Sequence, residues 1–259
     1  MLAARLDWYA ALQGETLAPP PMPRRSFNDE WLERHRKAAE EGLTNSGLKG
    51  FMEVWHFSPD SSISKAQADL LVAARQAQAA SGWPAGMLLS GADAPKAMND
   101  GIVASFSRQR FVYWALAKNG DFYSLMPLLE DSQYPNRDVL WVDGCIAHTT
   151  EALVHCVNLY KALGVEPNAH IEITIRYGGM RGRSLRRQPP SMPPPWENTN
   201  SLEDEIPIPP VVFRLGDLDS NMVGLVKKLC EPLFVLFDFA SFKDETYEKI
   251  VSDLVRRIG

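Results

Sequence analysis

Residues 110–131, RFVYWALAKNGDFYSLMPLLED, decide the fold. Two apolar runs flank Asn119-Gly120, and both turn residues tolerate positive φ, as a two-residue type I′ hairpin requires. This reading sets Lys118 opposite Asp121, Leu116 opposite Tyr123, Trp114 opposite Leu125 and Tyr113 opposite Met126. One face then carries Val112, Trp114, Leu116, Tyr123 and Leu125, closed by a Lys118–Asp121 pair at the tip. The other carries Phe111, Tyr113, Ala115, Ala117, Phe122 and Met126. Both faces are apolar enough to be covered, which places the hairpin in the middle of a domain.

Working outward, Ile102–Phe106 reads as a strand entering the hairpin after an Asn99-Asp100-Gly101 turn, and Phe51–Phe57 as another. Further short strands are expected around Met87–Leu89, at Val139–Val142 and at Val211–Leu215. Ile171, Ile173 and Ile175 alternate with Glu172 and Thr174, the period of a half-buried strand. Helices are expected from Asn28 to Gly42, with Asp29 and Glu30 in the first turn, and from a Ser64/Gln67 capping box to Gly82. Another runs from Thr149 to Leu163, and one through Met222 and Leu229 should kink or split at Pro232. The last carries Tyr247, Ile250, Val251, Leu254 and Ile258 on one stripe. The densest strand cluster is hairpin-linked, so the fold class is α+β: a mainly antiparallel sheet with a central Asn-Gly hairpin and helices packed on it. Residues 1–27 read as a tether broken by Pro19–Pro23, and 28–259 as a single domain. Within it, 186–210 holds eight prolines and reads as a long loop.

Hydrophobic residues make up 45% of the 259, enough for a packed core, so wholesale disorder is excluded. The net charge of -5 argues against a protein that coats nucleic acid and confines any such contact to a local patch. Three cysteines without a CxxC spacing fit buried thiols in a reducing compartment. No stretch has the length of a signal core or a membrane span, so a cytoplasmic location is expected.

The most basic local patch is 175–188, IRYGGMRGRSLRRQ. Arg176, Arg181, Arg183, Arg186 and Arg187 could present guanidinium forks to phosphate, Gly178, Gly179 and Gly182 could let amides approach an anion, and Tyr177 could stack on a base. The order is not that of a phosphate-binding GxxxxGK[ST] loop, and the opposing reading pairs these arginines with Glu203-Asp204-Glu205. Cys145, His148, Glu151 and His155 have spacings that a helix could gather for a metal, although Cys145 and His148 are expected before the helix starts. Asp131, Asp138, Asp143 and Glu172 could form a two-metal nuclease cluster, but no lysine follows Glu172 at short spacing. Trp55, Trp83, Tyr113, Trp114 and Phe122 read as core rather than as a ligand pocket. No nucleophile motif is present, and neither a metal nor a cofactor is expected.

Several short motifs stand in order along the chain: Gly82-Trp83-Pro84, Asp100-Gly101-Ile102-Val103-Ala104, Tyr113-Trp114-Ala115-Leu116 and Lys118-Asn119-Gly120-Asp121-Phe122-Tyr123. Leu129-Glu130-Asp131, Thr150-Glu151-Ala152-Leu153, Ile175–Arg183, Leu229–Phe234 and Tyr247–Val251 follow. Together they span about four-fifths of the chain, and they resemble the C-terminal region of bacterial Schlafen/AlbA-type proteins assigned to DNA binding. The AlbA-like domain of those proteins is not expected here, because about fifty residues precede the match. The resemblance implies a non-enzymatic accessory or regulatory module that acts through a protein partner in a DNA-associated system. The alternative is nucleic-acid or nucleotide-phosphate binding through 176–187, and a further one is a metal-dependent nuclease or hydrolase. A homo-oligomer is left open, and no membrane contact is expected.

Overall fold

A computed structural model describes residues 25–81, 94–106, 111–133, 138–187, 200–238 and 240–258. The strand expected at Met87–Leu89, Trp83, and most of the 1–27 tether lie outside them. Among the described residues the strands are β1 (Phe51–Phe57), β2 (Lys96–Met98), β3 (Gly101–Phe106), β4 (Val112–Ala117), β5 (Phe122–Pro127), β6 (Val139–Trp141), β7 (His170–Gly178), β8 (Ser184–Arg186), β9 (Ile206–Pro207) and β10 (Val211–Arg214). Among the described residues the α-helices are α1 (Asp29–Asn45), α2 (Gln67–Ser81), α3 (Leu129–Gln133), α4 (Val142–Ala162), α5 (Leu218–Phe234) and α6 (Asp244–Ile258). The main sheet runs β10-β7-β1-β5-β4-β3-β2, with β9 also on β7, and every neighbouring pair is antiparallel. β6 and β8 form a separate parallel pair. The α+β reading with an antiparallel sheet around the hairpin is what the structure shows.

The sheet separates two cores. One face packs Met52, Val54, Trp114, Leu116 and Phe122 against α2, α4, α5 and α6. The other packs Phe51, Tyr113, Ala115, Tyr123 and Leu125 under α1, through Trp31, Leu32, Ala39 and Leu43. Covering on both sides explains why β4 and β5 are buried at every position.

The register differs from the type I′ expectation by one residue. Tyr113 lies opposite Leu125, Trp114 opposite Ser124, Ala115 opposite Tyr123 and Leu116 opposite Phe122. The Ala117 amide donates to the Asp121 carbonyl at 2.8 Å and the Gly120 amide to the Ala117 carbonyl at 2.9 Å, which closes a three-residue Lys118-Asn119-Gly120 loop. Gly120 has φ 84 whereas Asn119 is not left-handed, as in a type I turn followed by a bulge glycine. Asn119 prefers this turn because its side-chain oxygen accepts the Asp121 N–H at 3.1 Å. The shift moves all of β5 to the opposite face, so Phe122 and Met126 join Trp114, while Tyr123 and Leu125 join Tyr113. Asp121 consequently turns inward and pairs with Arg25, not with Lys118.

Other boundaries move for similar reasons. α1 begins as expected, with the Asn28 side chain accepting the Trp31 N–H at 3.0 Å, but it runs through Gly42 to Asn45. Gly42 is the bare spot on which the Phe111 ring lies. α4 starts at Val142, seven residues before Thr149, because β6 feeds straight into it and Glu130 Oε1 takes the Trp141 N–H. α2 starts at Gln67, too late for a Ser64 cap, and the Gln67 amide reaches the Met98 carbonyl at 2.9 Å. α5 continues through Pro232 to Phe234 without splitting, since the proline sits in its last turn. Residues 200–210, expected within the loop, are paired: Ser201 exchanges backbone bonds with Gly182 and Arg183, β9 lies on β7, and the Ile208 N–H reaches the Ile175 carbonyl.

The N-terminal edge of the described chain is fastened to the same hairpin. Arg25 donates to the Ser58 and Asn119 carbonyls and to Asp121, and Phe27 packs edge-on against Trp31 and Phe57. On the other face, Tyr160 donates to the Gly120 carbonyl at 3.2 Å, which leaves its hydroxyl oxygen to accept from His56 Nδ1 at 2.9 Å.

Candidate functional site

The arginine-glycine stretch forms the end of β7, the turn after it, and β8. β-Alternation sends its first two members to opposite faces: Arg176 goes toward α1, and Tyr177 into the helical core, where it is 1% exposed. A base cannot stack on Tyr177 in this arrangement, so the stacking expectation is corrected. The Gly178 Cα carries the Phe51 ring. Gly179, at φ 65, passes so close to the Lys49 carbonyl that a side chain would collide with it. Its role is packing against the β1 entry.

Arg176 meets three carboxylates: Glu53 at 2.5 Å, Glu40 at 2.6 Å and Glu205 at 2.9 Å. Burial alone would lower its pKa, but Glu53, Glu40 and Glu205 outweigh burial and hold the guanidinium above its ordinary value. Glu53 is fully buried at the centre of β1 and takes a second guanidinium, Arg36 of α1, at 2.9 Å. Arg36 lies over the Trp55 ring and Arg176 over the Phe51 ring, so the aromatic faces help desolvate both cations. Burial, with the Glu53 carboxylate beside it, raises the Tyr123 phenol far above its usual range. This hub ties α1, β1, β7 and the segment before β9 together.

Arg183 is 4% exposed. It donates to the Gly179 carbonyl at 2.6 Å, the Val139 carbonyl at 3.2 Å and Asp131 Oδ1 at 2.5 Å. The other Asp131 oxygen accepts the Gly50 N–H at 2.7 Å. The pair therefore staples the β7–β8 turn to α3 and to the entry of β1. Arg183→Ala strands the Asp131 carboxylate in a half-closed site and is expected to cost about 3 kcal/mol. Arg187→Ala, on an exposed side chain, should stay within about 0.5 kcal/mol. Urea unfolding of the two variants measures the contrast, and equal losses would refute the staple.

Of the nine residues singled out by sequence, Arg181, Gly182 and Arg187 are exposed and Arg186 half-buried. The acidic run does engage the stretch, through Glu205 on Arg176 and through Asp204, whose carbonyl takes the Met180 N–H and whose carboxylate takes the Arg181 N–H. Composition showed the arginines but not their direction. The available signal was Glu53, a lone carboxylate within the apolar run FMEVWHF, which demands cationic partners inside the fold.

Helix α4 does contain Cys145 and His148, contrary to the expected boundary. His148 pairs with Glu151 at 2.8 Å, while His155 is buried against Phe122 and Cys145 lies in the core. Asp131 is held by Arg183, and Glu172 lies opposite Val212 at the sheet edge. Among the described residues, no group of three or more His, Cys, Asp or Glu is arranged to hold a metal ion. Tyr113, Trp114 and Phe122 are core residues and Trp55 is half-buried under Arg36. Among those residues, too, no helix is long and apolar enough to cross a membrane.

An open cleft of about 480 Å³ lies at the hairpin tip, between the start of α1 and Lys118-Asn119. Its basic groups, Arg34 and Lys118, sit beside Glu30 and Asp100, and Arg34 pairs with Asp100. Asp121 forms its inner wall, where burial raises the carboxyl pKa against the opposing pull of Arg25, Asn119 and the Asn28 amide. No family model, curated protein or solved structure matches the chain.

Proposed function

We propose that this protein is a non-enzymatic accessory module that works through a protein partner in a DNA-associated bacterial system. The observation that carries the reading is the inward commitment of the groups most suited to phosphate contact, with Arg176, Arg36 and Arg183 all bound to carboxylates of the same chain. A guanidinium already held by a buried carboxylate has no free fork to offer a phosphate. The order of motifs resembling the C-terminal region of Schlafen/AlbA-type proteins supplies the DNA-associated context. Gentle affinity purification from the native host should recover a stoichiometric second protein, and recovery of the bare chain alone counts against the reading.

A second reading has its own support. Arg181 and Arg187 are exposed and Arg186 is half-exposed on one short turn and strand. If those three contact duplex phosphates, the logarithm of the binding constant should fall against the logarithm of salt with a slope of about -2.7. Fluorescence anisotropy of labelled DNA and RNA, with Arg181, Arg186 and Arg187 replaced together by alanine, tests it. Binding that ignores salt or survives the replacement excludes this mechanism.

A further inference from the structure

A second cleft, of about 550 Å³, opens between the β1–α2 loop and the α4–β7 loop. The first loop contributes Asp60 through Lys65, and the second closes the cleft with Leu163, Val165 and Glu166. Its size is that of a small-molecule site.

Asp60 is held in place on one side only. Its Oδ2 accepts from His170 Nδ1 at 2.6 Å and from the His170 backbone N–H at 3.3 Å. Its Oδ1 is shut off from solvent without a hydrogen-bond partner, although the side chain as a whole keeps 26% of its surface open. Next to it, the Ser61 hydroxyl is also enclosed and unpartnered. A buried polar atom without a partner is costly, and two adjoining ones in a cleft wall are where a ligand's groups would be satisfied. Lys65 and Glu166 line the same cleft, and neither has an ion-pair partner among the described residues. The cleft thus offers acceptors in Asp60 and the exposed Glu166 and donors in Ser61 and the half-exposed Lys65, of which the Asp60 Oδ1 and Ser61 hydroxyl are buried without a partner. Ile63, Leu163 and Val165 add apolar surface beside them.

We propose that this cleft binds a small zwitterion of the α-amino-acid class. Its ammonium group is taken by Asp60 and Glu166, its carboxylate by Ser61 and Lys65, and an apolar side chain lies on Ile63, Leu163 and Val165. A purely anionic ligand would leave the Asp60 oxygen unsatisfied and face Glu166, and a purely cationic one would face Lys65.

The test is isothermal titration of the full chain with L-leucine, with leucinamide, which lacks the carboxylate, and with 4-methylpentanoate, which lacks the ammonium group. L-Leucine should bind, and each analogue should bind at least about tenfold more weakly, a difference of about 1.4 kcal/mol. Lys65→Met should weaken L-leucine by a similar factor and leave leucinamide unaffected. Asp60→Asn also loosens His170, so its thermal melting without ligand is measured beside its titration. Heat from none of the common L-amino acids overturns the proposal. So does equal binding of leucine and 4-methylpentanoate, which would make the cleft a simple anion site.

Discussion

Acidification from pH 7 to pH 5 is expected to remove about 4 kcal/mol of folding stability through His35 and His155, about 2 kcal/mol from each, and His56 adds to the loss. His35, His56 and His155 are all buried. Burial, helped by neighbouring Arg34, lowers the His35 pKa to about 4. Burial lowers His155 to about 3, and burial with His155 nearby takes His56 well below 6.5. Each histidine is thus neutral when folded and takes up a proton near pH 6.5 when unfolded. In that window the unfolded state binds more protons, so stability is complete above about pH 6.5 and declines as pH falls toward the folded-state values. The figure at pH 5 follows from the unfolded value alone, because the folded values of His35 and His155 both lie below it. Domains of this kind are stable by roughly 5–15 kcal/mol, so the loss should be visible as a large fall in the urea midpoint. Asp121, whose pKa burial raises, acts in the opposite direction, but from an ordinary value of 3.8. His35→Gln should make the slope shallower by the His35 share of about 2 kcal/mol, with the Tyr113 hydroxyl keeping an acceptor in place of the 2.7 Å contact. A urea midpoint that stays level between pH 7 and pH 5 would contradict the buried neutral state.

Glu53→Ala is expected to cost about 3–5 kcal/mol. Glu53 has no exposed surface and is the shared anion of Arg36 and Arg176. Its removal leaves the largely buried Arg36 and Arg176 guanidinium groups facing one another on the α1 side of the sheet. Arg176 retains Glu40 and Glu205, but both carboxylates are largely solvated, with side chains 41% and 59% exposed, and exposed pairs contribute little. The same physics predicts a rescue. Replacing Glu53, Arg36 and Arg176 together with Leu, Met and Met removes all three charges of this cluster and should restore most of the stability. Chemical unfolding of the single and triple variants separates the two ideas. A triple variant as unstable as Glu53→Ala would mean that α1 depends on the charges themselves for its position.

The chain's own sequence determined the class of the fold and the location of its core. Alternating apolar runs around Asn119-Gly120, the Asn28 start of α1 and the inward stripe of α6 are local patterns, and each is realised close to where it was read. Local patterns report which atoms avoid water, and this suffices to place elements. They do not report partners that are distant along the chain. The hairpin register was decided by Asn119 bonding the Asp121 amide and by Tyr160, forty residues away, taking the Gly120 carbonyl. The direction of the arginines was likewise a tertiary matter. Arg176 finds Glu53 across 123 residues and Arg183 finds Asp131 across 52. A buried carboxylate is far costlier alone than paired, so tertiary contact turned a stretch that looks phosphate-binding in sequence into the internal clamps of the sheet.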